Sequence, residues 1–476
     1  MPVDPTKVVA KPGHGNRLNW ASETRDADYR GEPFSNASGC ECSPLTRRGT
    51  LTHPNGAIRV YNGDVYKSDT AGSEETKLAL QKAVRVLEDI PAAQKDWHSG
   101  SDSKVLDLVH PSLFPLIYGI SKILPIGAPM TTLEDCVKRT CEVDISGDKP
   151  KTLTYINNLH PQRHKELYGL MEDLIQASIP LWNLTLVSSD DLFNTPSRVR
   201  YDTCLFIGDT RVPEQPEPQG FDSNVLEHES PTDLKEKYGD LPLQAIVKLA
   251  NIELTPEKPE YASGMWHIEG GLNEAICATA IYYYSSENIT RSSLAFRHQA
   301  SEECFIEDSS ELDSQEWLPN VYGLPLDGGD MIQDVGSVET CEGRLITFPN
   351  ILQHQVQPFK LAYPTKPGHR KIVALFLVDP NIRIISTADV PCQRQDWWAE
   401  EALKTSRSSS VRPNLPDSKA GGVYKLPPEL QKIVFGGVDD FPIGMDKAKD
   451  YREKLMEEFV LKHQQNFVGE IALCEH

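Results

Sequence analysis

The sequence predicts an α+β fold in which an antiparallel β-barrel or jelly roll lies between two helical regions. Three observations carry this: short apolar runs crowd between Leu241 and Asp379, helical periodicity lies on both sides of them, and a polar, proline-broken stretch precedes them. The runs cover about 244–249, 276–284, 293–297, 344–348, 355–361 and 371–378, and are rich in β-branched and aromatic residues. Short strands separated by Gly, Pro and Asp turns favour antiparallel closure over a parallel sheet, which needs a helix between successive strands.

Before the barrel, the first sixty or so residues are rich in Gly, Pro, Asn and Ser and read as an extended arm. A helix follows: Ser73 is its N-cap, Glu74 and Glu75 occupy its first turn, Leu80, Ala83, Val84 and Leu87 share one face, and Pro91 ends it. A second helix over 161–178 has Leu167, Leu170, Met171, Leu174 and Ile175 in one apolar stripe. Pro213, Pro216, Pro218, Gly220 and Pro231 break any pattern over 213–240, marking a long loop or a boundary. After Pro380 come a helix over 395–404, a serine-rich break at 406–410, and an amphipathic helix over 447–464. In this last helix Tyr451, Leu455 and Phe459 fall four apart, suiting packing on the core, or a homodimer contact as the alternative. The expected organisation is an arm and helical region over 1–240, a barrel over 241–385 and a helical tail over 386–476.

Charge narrows the partners. Asp and Glu number 69 against 48 Lys and Arg, a net charge of -21, and that field repels nucleic-acid phosphates and anionic lipid surfaces. The first residues lack the apolar stretch of a secretory signal, and no run approaches the roughly 20 apolar residues that span a bilayer. A cytoplasmic protein acting on a small molecule is expected. The ten cysteines show no CxxC pair, so they read as reduced structural thiols.

The chemistry lies in Ser-Gly-Met-Trp-His-Ile-Glu-Gly-Gly-Leu-Asn, residues 263–273. On extended backbone His267 and Glu269 leave the same face, so one imidazole and one carboxylate can grip one metal ion. Composition alone yields about two such His-x-acid pairs in a chain of this make-up, and there are two. The other, His164 and Glu166, lies on a predicted helix, where residues two apart diverge. About ninety residues on, a β-run closes in Phe348-Pro349 and His354 opens the next strand; sixteen residues later Arg370 opens an apolar strand. Two histidines and one carboxylate on one face of Fe(II) leave three coordination positions, enough for O2 and a bidentate 2-oxo acid. Arg370 can hold the far carboxylate of that acid bidentately.

This ordered set resembles the 2-oxoglutarate and Fe(II)-dependent dioxygenase superfamily, whose pattern is HxD/E, an apolar strand, His, then Arg. The resemblance implies a double-stranded β-helix, metal binding by His267, Glu269 and His354, and 2-oxoglutarate anchored by Arg370. The wider stretch from Trp266 through Tyr284, Ser286 and Asn288 to Asp379-Pro380 is similar to a fungal family of large proteins with a domain-of-unknown-function label. Some fungal oxygenases of similar arrangement serve secondary metabolism and oxidise small aliphatic amino acids. Many superfamily members have Asp where Glu269 stands, and Ser where Ile372 stands. Tyr282, Tyr284 or Asn273 is expected to complete the co-substrate contact, with Lys371 as a substitute for Arg370, while Trp266, Ile346 and Phe348 are candidates for the substrate pocket. Hydroxylation, desaturation and ring closure stay open, as do an oxidase without 2-oxoglutarate, a zinc enzyme and a silent β-barrel binding module.

Overall fold

The computed structural model describes residues 64–117, 141–186, 233–299, 332–391, 426–437 and 442–467, with short stretches at 52–53, 56–61, 119–121, 123, 204–207, 210–213, 393–400 and 403. Most of the expected N-terminal arm, most of the 213–240 loop and the serine-rich break lie outside them, while the end of the arm forms two short strands.

Three layers build the molecule: helices, a large sheet and a small sheet. Before residue 233 the strands are β1 (Thr52–His53), β2 (Ala57–Tyr61), β3 (Val65–Ser68), β4 (Val105–Val109), β5 (Cys141–Asp144), β6 (Lys151–Thr152), β7 (Cys204–Ile207) and β8 (Thr210–Pro213). After it come β9 (Leu243–Leu254), β10 (Glu260–Tyr261), β11 (Ile276–Glu287), β12 (Ser292–Gln299), β13 (Ile332–Thr340), β14 (Leu345–Pro349), β15 (Leu352–Val356), β16 (Phe359–Lys360) and β17 (Gly368–Val378).

The large sheet runs β1-β2-β3-β14-β11-β17-β9-β5-β6, with β4 also on β9; the small one runs β13-β12-β15; both are antiparallel throughout. The segment holding His267 bridges β15 at His354 and so extends the small sheet. Strand alternation then sorts the side chains. Ile246, Ile281, Tyr283, Ile346, Phe348, Ala374 and Phe376 of the large sheet meet Leu294, Phe296, Val335, Val338 and Leu352 of the small one in a shared core.

The other face of the large sheet, with Ala280, Tyr282, Tyr284, Val373 and Leu375, packs under α1 (Glu74–Ala83) and α2 (Lys165–Thr185). Ser73 caps α1 by accepting the Thr76 N–H at 3.0 Å. Helix α2 runs beyond the expected 178, through Pro180, because Leu181, Trp182 and Leu184 beyond the proline are buried in the core. Packing there outweighs the hydrogen bond that proline removes.

The region before residue 240 is therefore more than a helical buttress, since β1 to β6 extend the large sheet at both edges. These strands hold two to five residues each, too few to display period-two alternation in the sequence. Near the C-terminus lie a short turn of helix over 395–400 and two longer helices, α3 (Pro428–Gly436) and α4 (Met445–Phe467). Ala448 and the partly buried Tyr451 of α4 pack with Leu113, Phe114 and Ile443, fixing this helix on the core.

Candidate metal centre and its cavity

A cavity of about 750 Å³ opens between the large and small sheets. At one wall, His267 and His354 face each other across a backbone bridge, donating N–H to carbonyl both ways at 3.2 and 2.9 Å, with ring centroids 4.3 Å apart. Glu269 Oε1 lies 3.3 Å from His354 Nε2 and 3.7 Å from His267 Nε2, and one ligand atom from each of the three residues falls within 4.8 Å of the others.

Local structure fixes this geometry. His267 Nδ1 is 2.8 Å from the Met265 carbonyl, which only accepts, so Nδ1 carries a proton and Nε2 is the nitrogen turned toward Glu269. The Asn350 side chain accepts from the Glu269 N–H at 2.9 Å and donates to the Glu269 carbonyl at 2.8 Å, pinning the turn. Gly270 follows at φ +64°, where a Cβ would come within 2.6 Å of Glu274 and 2.7 Å of Ile276. Only glycine fits there.

Burial works against charge on Glu269, yet the two imidazoles hold its carboxyl well below the usual range. Burial likewise disfavours a proton on His267, but Glu269 leaves its pKa raised, while burial and the neighbouring His267 push His354 down to about 4. A carboxylate with a readily deprotonated imidazole is the protonation state a divalent cation requires.

Arg370 lies on the cavity face of β17, alongside Ile372, Ala374 and Phe376. It is 2% exposed. Its guanidinium sits over Tyr283 at 5.5 Å and Phe359 at 5.1 Å, its Nη1 is 3.5 Å from the Ser292 hydroxyl, and its Nε has no acceptor. No carboxylate among the described residues pairs with it, and burial lowers its pKa. Lys371 is excluded as a substitute: adjacent strand residues face opposite ways, and its ammonium contacts both Glu88 oxygens at 2.8 Å on the far side.

The same parity corrects the tyrosines. Tyr282 and Tyr284 project into the helix-covered face, Tyr284 donating to Asn251 at 3.2 Å, whereas Tyr283 lines the cavity. Asn273 is exposed on the short turn Leu272–Glu274 and does not line the cavity. Of the pocket candidates, Trp266 lines the cavity under the Arg297 guanidinium at 4.5 Å. Ile346 and Phe348 are core residues instead, fully buried between the sheets, with Phe348 supporting the His354 ring at 4.8 Å.

The cavity wall also carries a second polar group that no motif in the sequence marks. Asp107 Oδ2 lies 2.9 Å from His98 Nδ1, 3.6 Å from Arg452 of α4 and 4.0 Å from His110 Nε2. Arg452 also pairs with Asp96 at 2.7 and 3.1 Å. His98 and His110 line the cavity, as does Met456 from α4. His110 Nδ1 accepts the Ser112 N–H at 3.1 Å, so its proton sits on Nε2. That tautomer, with a guanidinium beside the carboxylate, makes the cluster an ion-pair network and a poor metal site. Burial works against charge on Asp107, but His110 and His98 bring its pKa to about 2, and burial brings that of His110 to about 3.

Two predictions arise here. Asp107→Ala removes the acceptor that Arg452 and the partly buried His98 share, while Arg452 keeps Asp96, and is expected to cost about 1.5 to 3 kcal/mol of stability, read by urea unfolding. A loss below about 0.5 kcal/mol contradicts the network. Burial also lowers the pKa of His110, His164 and His369. A lowered histidine favours the neutral native state, so its contribution is whole above about pH 6.5 and is lost as pH falls below it. The melting temperature of metal-free protein is expected to fall as pH drops from 6.5 toward 4, and a flat profile across that window would sink this reading.

The chain matches the family described as "Protein of unknown function (DUF4246)" over residues 42–140 and 140–401, and it belongs to that family. No curated protein matches it. Among solved structures, a selenomethionine-labelled Fe(II)/α-ketoglutarate-dependent dioxygenase, TqaL, aligns at 12% identity over 67% of this chain and 84% of that one, with a TM-score of 0.29. IDO from Bacillus thuringiensis aligns at 8% identity over 64% and 84%, TM-score 0.26. SnoN, a non-heme α-ketoglutarate-dependent epimerase from nogalamycin biosynthesis, aligns at 9% over 28% and 52%, TM-score 0.16. Among the described residues no helix is long and apolar enough to cross a membrane.

Proposed function

We propose that this protein is an Fe(II)- and 2-oxoglutarate-dependent oxygenase acting on a C–H bond of a small organic molecule, and that its two sheets form a double-stranded β-helix. The observation that carries the reading is the pairing, in one cavity, of a His-Glu-His set with a buried guanidinium that lacks a carboxylate. An unpaired buried cation is costly, and a site that keeps one is built for an anionic ligand.

The residues fit the metal. His267 and His354 Nε2 and the Glu269 carboxylate would hold it, with the Met265 carbonyl fixing one imidazole and Asn350 fixing the turn that carries Glu269. Bound Fe(II) with O2 and the 2-oxo acid supplies the two-electron oxidation. The protein's own residues do the rest. Arg370 would orient the far carboxylate of the co-substrate, Tyr283 and Phe359 keep that guanidinium dry, and the apolar walls exclude water. Barrel strands 243–378 carry the chemistry, with the N-terminal strands and helices and the C-terminal tail as supporting regions.

Succinate and CO2 release from 2-oxoglutarate tests the reading, using anaerobically Fe(II)-loaded protein exposed to O2 with and without a panel of small acids and amino acids. Release stimulated by a panel member is expected. Oxygen consumption without succinate would instead favour an oxidase that draws all electrons from its own substrate.

A further inference from the structure

Besides Arg370, the cavity is lined by two further cations: Arg297, which lies over Trp266 and donates to Gln353, and Lys248, which the proposed chemistry does not use. Lys248 stands in the middle of β9, a strand otherwise apolar on its cavity face, where Ile246, Ala250 and Ile252 flank it. It is half-buried, and among the described residues its ammonium has no hydrogen bond or ion pair. Its charge nevertheless reaches both polar groups of the cavity, depressing the pKa of His354 and His110 and helping to hold Asp107 ionised.

Register separates Lys248 from Arg370. Lys248 pairs with Ala374 on β17 and Arg370 pairs with Ile252 on β9, four residues along the same strands. At about 3.3 Å per residue the two backbone positions lie roughly 13 Å apart. One five-carbon dianion anchored at a metal ion can engage one of these cations, and the deeper, wholly buried one is Arg370. Lys248 is left for another anion.

Resting on the oxygenase reading, we propose that Lys248 binds the carboxylate of the compound oxidised here, an aliphatic acid whose hydrocarbon body lies along Ile246, Ile281, Leu294 and Phe376. The neighbouring wall suits a donor beside that carboxylate. His98 gives its Nδ1 proton to Asp107 at 2.9 Å, so the opposite ring nitrogen, Nε2, is an acceptor, and His98 lines the cavity. Both groups line the one cavity, and a 2-hydroxy acid offers a partner to each, its carboxylate to Lys248 and its hydroxyl to His98. The substrate's charge thus sets its orientation, and its chain is what meets the metal wall.

The test is calorimetric binding to the full chain loaded with Mn(II), which needs no turnover. The probes are hexanoate, 2-hydroxyhexanoate, the neutral hexanamide and 2-oxoglutarate. Both acids are expected to bind, 2-hydroxyhexanoate the tighter, and hexanamide to bind at least tenfold more weakly than hexanoate. Lys248→Met should weaken both acids by about 10- to 100-fold, the range for a hydrogen bond to a charged group, while 2-oxoglutarate affinity stays within about twofold. Lys248→Arg should restore most of the acid binding and, with an unchanged melting temperature, shows that the fold is intact. Hexanamide binding as well as hexanoate, neither acid binding, or Lys248→Met weakening 2-oxoglutarate instead would each overturn the proposal. Acid binding that depends on Lys248 with no 2-oxoglutarate binding would overturn the oxygenase reading and leave the carboxylate site standing.

Discussion

Replacing His354 with Ala is expected to abolish Fe(II) binding and turnover together. The side chain is 2% exposed, and its Nε2 lies 3.3 Å from Glu269. Removing it leaves one imidazole and one carboxylate, a set too sparse to hold Fe(II) against water at micromolar metal. The loss should exceed the roughly 10- to 100-fold penalty of deleting a partner that merely orients a ligand. The cavity left beside Phe348 also costs stability, so the variant must be compared with His354→Gln, which fills the space without an imidazole. Both are expected to lose iron by metal analysis, and iron content equal to wild type in either would remove His354 from the ligand set. His267→Ala should behave alike with a smaller stability cost, since its side chain is 40% exposed.

Arg370→Met is expected to separate function from stability. The arginine is buried among Tyr283, Tyr261 and Phe359 without a carboxylate. In ligand-free protein it contributes a desolvated charge, and an apolar side chain of similar length removes that cost. The melting temperature of the apo variant should therefore equal or exceed that of wild type, while 2-oxoglutarate affinity falls by about 30-fold or more, the 2 kcal/mol lower bound for truncating one partner of a buried charged pair. A residue that merely closes a strand end would show the reverse, a lower melting temperature with unchanged affinity. Activity lost at a site whose removal raises stability is the usual mark of a group kept for its ligand.

The metal-site candidates were legible because their spacing survives without tertiary context. His267 and Glu269 are two apart on extended backbone, and His354 and Arg370 follow in a fixed order, each beside an apolar strand. The structure brings His267, Glu269 and His354 together and sets Arg370 on the same cavity. What failed was parity. Three successive tyrosines, 282 to 284, give no alternation from which to read a face, and a register shift between Tyr283 and Ser285 follows at once. Pairing with β14 and β17 decides the matter and turns Tyr283 inward.

Lys248 could have been found. It interrupts the apolar run of β9, and a charged residue on the inward parity of a buried strand is itself a signal. The group of His98, Asp107 and His110 could not, because its meaning depends on Arg452, more than three hundred residues away. Helix α4, read as amphipathic from its apolar spacing, also supplies that guanidinium, which no periodicity reports.

The most direct test is a calorimetric titration of 2-oxoglutarate into the protein with and without Mn(II) under anaerobic conditions, repeated for His354→Gln and Arg370→Met. The account predicts tight binding only when metal is present, none in His354→Gln, and about 30-fold or more weakening in Arg370→Met with metal binding intact. Binding that ignores the metal, or that survives unchanged in both variants, would contradict the assignment of this cavity to a metal and a 2-oxo acid.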